Sequence, residues 1–236
     1  MSYATEGYVI RGDLPHELID EVRAVLTDAL TRIGDEPVTG DLNALIAQRE
    51  AQDHDLVYQA ANFVGSSLAA YRLVEAVAGV VERETGCTNL HVMPTTIAVQ
   101  QPDDGRFDYK WHQETSFYPW TDNVINVWIP LQPTKVGSGT MFVIPRSQQG
   151  GRRDAEQYFS YGKFRQIECD ADDGELATEV PMELEVGEYV IFDGNLVHRS
   201  DGNQGQHARL VAIMRFLPAG DLKKLRPLYK ALSYED

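Results

Sequence analysis

Apolar residues at Leu14, Leu18, Ile19, Val22, Val25, Leu26 and Leu30 recur at helical spacing and predict an amphipathic helix. Asp13 is placed to cap its N-terminus, Pro15 falls in its first turn and Gly34 stands where it should end. A short β-prone run, Tyr8-Val9-Ile10, comes before it. Residues 41–86 read as further helix, clearest from about Ser66 to Glu84, where Leu68, Tyr71, Leu73, Val74, Val77 and Val81 form one apolar side. After Gly86 the pattern changes to short β-rich runs at Leu90–Gln101, Asn123–Gln132, Thr140–Ile144, Met182–Val186, Tyr189–Phe192, Leu196–Arg199 and Ala208–Phe216. Turn formers separate them, as in Pro102-Asp103-Asp104-Gly105 and Gly137-Ser138-Gly139. A long polar stretch, Arg146 to Thr178, interrupts the series and reads as a lid, an insertion or a surface loop. Helices first and many short strands after predict an α+β fold, with helices packed outside a β-sandwich or barrel.

Composition narrows the partners. The 236 residues fit one domain, and 43% hydrophobic with 24% charged residues is ordinary for a soluble globular chain. A formal charge of −15 argues against the nucleic-acid backbone and against an anionic membrane surface as partners. Cys87 and Cys169 show neither close pairing nor metal spacing, the N-terminus lacks a signal-peptide pattern, and no apolar run approaches the ~20 residues that span a bilayer. A cytoplasmic location is expected.

The candidate chemistry begins at Trp111-His112-Gln113-Glu114. In an extended strand, His112 and Glu114 point to the same side, where one divalent ion takes both. His198, in a later strand, supplies a third ligand. Two histidines and a carboxylate with open coordination positions are the donor set of a non-haem Fe(II) oxygenase. The segment Ser200-Asp201-Gly202-Asn203-Gln204-Gly205 reads as a hairpin turn, and if it is centred between Asn203 and Gln204, Arg209 pairs opposite His198. Directly opposed Cβ atoms lie ~5 Å apart, so Arg209 would extend beside the metal and hold a carboxylate with two parallel hydrogen bonds. Such an anchor suits an external 2-oxo acid. Arg215 shares that face but lies ~20 Å further along the strand, and a structural or surface role is expected for it. His54 and His207 are expected on the surface.

These residues resemble the phytanoyl-CoA dioxygenase-like Fe(II)/2-oxoglutarate oxygenases, over nearly the whole chain. Gly7-Tyr8-Val9-Ile10 and the long helix after it are similar to the family's opening, and Trp111-His112-Gln113-Glu114 to its first ligand motif. Val127-Trp128-Ile129-Pro130-Leu131 resembles its central strand, and Gly139-Thr140-Met141-Phe142-Val143-Ile144-Pro145-Arg146-Ser147 its Gly-x-Leu-x-Val-Ile-Pro-Gly-Ser stretch. The run from Val186 to Phe192, then His198 and Arg209, is similar to its distal histidine and 2-oxoglutarate arginine. Two positions depart from the pattern: Glu114 stands where the family usually has Asp, and Gln148 follows Ser147 where it usually has His. The first lengthens the ligand's reach, and the second removes any role that histidine has in the family.

The resemblance implies a double-stranded β-helix (jelly-roll, cupin-like) core. In one domain spanning 1–236, residues 1–86 form a mainly helical flank, 87–218 the core with an insertion at about 146–178, and 219–236 a C-terminal tail. It implies Fe(II) on His112, Glu114 and His198, with 2-oxoglutarate and O₂ as cosubstrates, and Arg209 on the far carboxylate. Gln100 and Ser200 are candidate further contacts to 2-oxoglutarate, while Trp128 belongs in the core or on the pocket wall. The expected outcome is hydroxylation of a small molecule, a secondary metabolite or an amino-acid derivative, with succinate and CO₂ as coproducts. Desaturation, ring closure and epimerisation would use the same iron, and the retained carboxylate argues against halogenation. The alternatives are a cupin-like metalloenzyme that uses no 2-oxo acid and a jelly-roll binding module without catalysis. Phe117, Tyr118 and Trp120 are candidates for an aromatic substrate wall, and Arg152, Arg153, Lys163 and Arg165 for an anion contact.

Overall fold

A computed structural model describes residues 2–118, 120–160 and 164–221. The helical flank comprises α1 (Tyr3–Glu6), α2 (His16–Arg32), α3 (Leu42–Gln52), α4 (His54–Gly65) and α5 (Leu68–Thr85), and a single strand, β1 (Tyr8–Arg11), lies within it. The α2 periodicity is realised: Ile19, Val22, Leu26 and Leu30 are buried in one core. Its cap differs from expectation. Pro15 occupies the N-cap without a side-chain bond, because the Asp13 carboxylate instead accepts from the Tyr189 hydroxyl at 2.9 Å. Ser67 caps α5 by accepting from the Ala70 amide, and Gly86 ends it in the left-handed conformation a glycine adopts without strain.

The strands that follow are β2 (Leu90–Val92), β3 (Thr96–Gln100), β4 (Ile125–Pro130), β5 (Met141–Val143), β6 (Ala155–Ser160), β7 (Phe164–Cys169), β8 (Val180–Pro181), β9 (Tyr189–Asp193), β10 (His198–Ser200) and β11 (Arg209–Pro218), with a short α6 (Asp173–Leu176) after β7. Leu90–Gln101 is thus two strands rather than one. Both pair with β11 on the same edge, at its two ends. The larger sheet runs β1-β9-β4-β11-β2, with β3 beside β2 along β11, and the smaller runs β10-β5-β8. Every pairing in both is antiparallel.

Period-two alternation divides the larger sheet's residues between two cores. Ile125, Val127 and Ile129 of β4 and Leu210, Ala212, Met214 and Phe216 of β11 pack under the helices. Trp128, Val190, Phe192 and Val211 face the smaller sheet, against Met141, Val143 and Leu196. Helices therefore cover one face, and a two-sheet interior lies behind the other. This is the expected α+β jelly-roll arrangement.

The Arg146–Thr178 stretch carries a β6–β7 hairpin and α6. The hairpin also joins the smaller sheet's edge, since the Cys169 amide donates to the Trp111 carbonyl and His112 bridges to His198. One expectation needs correction: residues 200–208 do not form a hairpin turn. His198 pairs with Val143 in one sheet and Arg209 with Gln100 in the other. The chain crosses between sheets because its polar groups bond elsewhere: the Asp201 amide donates to Thr140, the Gln204 amide to Gly137, and the Asn203 side chain to the Gln100 and His207 carbonyls. The tail beyond residue 221 lies outside the described residues.

Candidate active site

His112, Glu114 and His198 converge between the two sheets, each offering one ligand atom within 4.8 Å of the others, and all three are buried. His198 lies on β10 of the smaller sheet, and His112 bridges to it from the loop alongside, through reciprocal backbone bonds of 2.9 and 3.0 Å. Glu114 does not continue that bridge. Gln113 is extended, and Glu114 then opens a short 3₁₀ helix, Glu114–Phe117, whose turn carries the carboxylate back toward the histidines.

Backbone carbonyls set the histidine tautomers. Nδ1 of His112 donates to the Lys110 carbonyl at 2.7 Å, and Nδ1 of His198 to the Leu196 carbonyl at 2.8 Å. A carbonyl only accepts, so each Nε2 is left with its lone pair free for a metal. Phe192 meets the His198 ring edge-on at 4.9 Å and Phe117 the His112 ring at 5.8 Å, which holds both orientations. Burial pushes the His198 imidazolium down to about 3, aided by His112, and burial likewise lowers His112. Both rings are therefore neutral near pH 7, as metal ligation needs. Burial opposes the charge on Glu114, but Arg215 and the two histidines outweigh it and hold the carboxyl below its usual range.

Glu114 divides its oxygens. Oε1 accepts from Arg215 Nε at 2.5 Å, while Oε2 lies 3.9 Å from His198 Nε2. Arg215, expected to be structural or on the surface, is thus a largely buried partner of a candidate ligand. Thr96 Oγ1 accepts from its Nη1 at 3.1 Å.

Arg209 is different. It is 4% exposed, carries no hydrogen bond or ion pair to a described residue, and its Nε is buried without a partner. Burial pushes its guanidinium down to about 10. Gln100, opposite it on β3, has an unpartnered Oε1, while its Nε2 donates to Asp108 at 2.6 Å and to the Asp201 carbonyl at 3.0 Å. Tyr109 and Asp108 favour the charge from nearby but neither bonds it; a buried guanidinium fork left unbonded is costly, and a carboxylate is the group that satisfies it. The expected hairpin does not exist, yet Arg209 and His198 line the same cavity.

That cavity is about 430 Å³, within the range of small-molecule sites. The interior faces of β3 and β11 supply Thr96, Ala98, Arg209, Ile213 and Arg215, and the smaller sheet supplies Met141, His198 and Ser200. Trp128 lines it as well as packing in the core. Phe117 and Tyr118 reach it, whereas Trp120 stacks edge-on behind Tyr118 at 6.0 Å. Among the basic candidates Arg165 lines it, its guanidinium 6.0 Å from the Phe117 ring. Arg152 is bonded to the Tyr118 carbonyl and Asp122, Arg153 to Glu175, and Lys163 lies outside the described residues. The α4 wall, including Asp55, Tyr58 and Asn62, went unrecognised in the sequence. Exposed His54 stands at its rim, bonded to Glu50 at 2.5 Å. His54 and Tyr58, one turn apart on α4, with Glu50 at the end of α3 across the extended Asp53, are the signal that could have marked it.

The donor set fits Fe(II): two neutral imidazoles and one carboxylate on one side, open cavity on the other. The orphaned Arg209 fits the distal carboxylate of a 2-oxo acid.

Comparisons with known proteins agree with this geometry. The sequence profile of the phytanoyl-CoA dioxygenase (PhyH) family matches residues 3–211. No curated protein matches the chain. Among solved structures, the non-heme alpha-ketoglutarate-dependent carbocyclase SnoK from nogalamycin biosynthesis superposes with a TM-score of 0.65 at 17% identity, covering 92% of this chain and 81% of its own. EvdO2 from Micromonospora carbonacea var. aurantiaca, complexed with 2-oxoglutarate, gives 0.63 at 16% identity over 92% and 89%. EctD from S. alaskensis with bound Fe gives 0.58 at 17% identity over 93% and 75%. At these identities the structures speak for the fold. The profile, which spans nearly the whole described chain, shows that the protein belongs to the phytanoyl-CoA dioxygenase family.

Proposed function

We propose that this protein is an Fe(II)- and 2-oxoglutarate-dependent oxygenase that oxidises a small molecule in the inter-sheet cavity. The observation that carries the proposal is the pairing of a buried His–Glu–His set with an unpaired, buried arginine in one cavity. Nε2 of His112, Nε2 of His198 and Oε2 of Glu114 would hold the iron. Arg209 would take the distal carboxylate of 2-oxoglutarate, with Ser200 on the cavity wall and Gln100, opposite Arg209 on β3, as further polar contacts. With O₂ and the 2-oxo acid, the bound iron supplies the oxidising power, and succinate and CO₂ are the coproducts.

The remaining tasks belong to the protein. Backbone carbonyls and the flanking phenyl rings keep both imidazoles aimed and neutral. Arg209 orients the cosubstrate so that its keto acid end faces the metal. Ala98, Met141, Ile213, Phe117 and Tyr118 give the substrate an apolar and aromatic berth and restrict water around the reacting position. The cavity suits a compact metabolite, either a secondary metabolite or an amino-acid derivative, with hydroxylation as the outcome. Both cysteines are unpaired, which supports a reducing, cytoplasmic setting, and among the described residues no single helix is long and apolar enough to cross a membrane.

Oxygen uptake and succinate release are the test. Both should require added Fe(II) and 2-oxoglutarate, and both should vanish in His198→Ala. Iron binding with no effect of 2-oxoglutarate would point instead to a cupin-like enzyme that needs no 2-oxo acid.

A further inference from the structure

Glutamate at a metal site has a degree of freedom that a shorter ligand lacks. Its extra methylene lets the carboxylate swing, and both oxygens can then chelate one ion. A two-oxygen Glu114 would fill a coordination position that a chelating 2-oxo acid and O₂ need. Something must restrain it, and the two histidines do not, since their ring hydrogen bonds run to the Lys110 and Leu196 backbone carbonyls.

Arg215 is placed to do so. It lies on β11 opposite Asn126, with its side chain on the interior face, the face of Arg209 and Ile213. Nη1 is tied to Thr96 on β3, a strand of the same sheet, so the guanidinium has a fixed seat. Nε then takes Glu114 Oε1 at 2.5 Å, and Oε2 is left facing His198. Both partners are largely buried, at 17% and 8% side-chain exposure, where a charge-assisted bond is not diluted by solvent.

We infer that Arg215 is a positioning residue: it occupies Oε1 so that Glu114 ligates the metal through Oε2 alone and leaves the other coordination positions open. The inference rests on the metal site proposed above. It also assigns different work to the two arginines of β11. Arg209, without a partner, waits for an anion from outside, whereas Arg215 already has its anion and shapes the metal's surroundings.

Two effects oppose each other in metal affinity. The guanidinium's charge repels a cation, while its hold on the carboxylate favours binding; lost support of this second kind costs about 10–100-fold in affinity. Orientation should dominate, because Glu114 compensates most of the charge of Arg215 at 2.5 Å.

The test is Co(II) binding to the metal-free protein, followed by calorimetry and by visible absorption, which reports coordination number. Arg215→Met should weaken binding about tenfold and alter the absorption spectrum. Arg215→Lys, which keeps the charge and loses the fork, should show the same spectral change with a smaller loss. In a Glu114→Asp background, whose shorter arm cannot span metal and Arg215 together, Arg215→Met should cost less than about threefold, a non-additivity expected of residues in contact. Thermal denaturation identifies any variant that fails to fold, and Arg215→Lys then carries the comparison. Equal losses in both backgrounds would reduce Arg215 to a packing role and overturn the inference. So would an unchanged spectrum, or unchanged or tighter binding in Arg215→Met. If the unaltered protein bound no metal, the proposed function would fall and this inference with it; binding that is insensitive to Arg215 would remove this inference alone.

Discussion

Arg209 and Arg215 differ by six positions on one strand face, and what separates their roles is the anion each already has. Arg215 is neutralised by Glu114 at 2.5 Å, whereas Arg209 has no carboxylate partner among the described residues and an unpartnered buried Nε. Replacing Arg209 with Met should therefore raise the 2-oxoglutarate concentration for half-maximal turnover by tenfold or more. Metal affinity without cosubstrate should stay unchanged, and calorimetric titration with each ligand separates the two effects. Gly139 guards the same corner. Its φ is +78°, and a Cβ there would sit 2.4 Å from Gln100 Oε1 and 3.3 Å from Arg209 Nε. Gly139→Ala should cost about 1 kcal/mol in chemical denaturation and also weaken 2-oxoglutarate binding, because the added methyl displaces Gln100 and crowds Arg209. The metal ligands were legible in the sequence because each is a residue type with few alternatives beside β-rich runs. The partner of Glu114 was not, because strand spacing puts Arg215 far from Arg209 and says nothing of what the opposite sheet presents to it.

At the scale of elements, β11 shows what periodicity reveals and where it stops. Alternation correctly puts Arg209 and Arg215 on one face and Leu210, Ala212 and Met214 on the other. Alternation does not identify the partner strand, because Ser200–Gly205 has turn chemistry that serves a hairpin and a crossing between sheets equally well. Long-range bonds from Asp201, Asn203 and Gln204 decide for the crossing, and local sequence does not report them. The β6–β7 hairpin was hidden for another reason. Glu156 and Gln157 are exposed, as is Phe159 at 57%, so no clean alternation of buried and exposed positions marks β6. The helices were easier, having caps and wide apolar faces. Ser67→Ala removes the α5 cap and should lower stability by about 1 kcal/mol in urea denaturation without affecting metal binding.

For the molecule as a whole, burying two uncharged histidines between the sheets couples stability to pH. His198 titrates at about 3 in the folded protein against about 6.5 when exposed. Between those values the unfolded chain binds a proton that the folded chain does not, so stability of the metal-free protein falls as pH drops below about 6.5. Melting temperature should decline from there toward pH 4, and His198→Gln should flatten the decline. The same architecture makes the central claim directly measurable, since metal and cosubstrate are to meet in one cavity. Anaerobic titration of the Fe(II)-loaded protein with 2-oxoglutarate should develop the visible charge-transfer band of a 2-oxo acid chelated to iron. The band should be absent in His198→Ala and require far more 2-oxoglutarate in Arg209→Met. A protein that took up iron but gave no band at saturating 2-oxoglutarate, or gave an undiminished band in His198→Ala, would contradict the account.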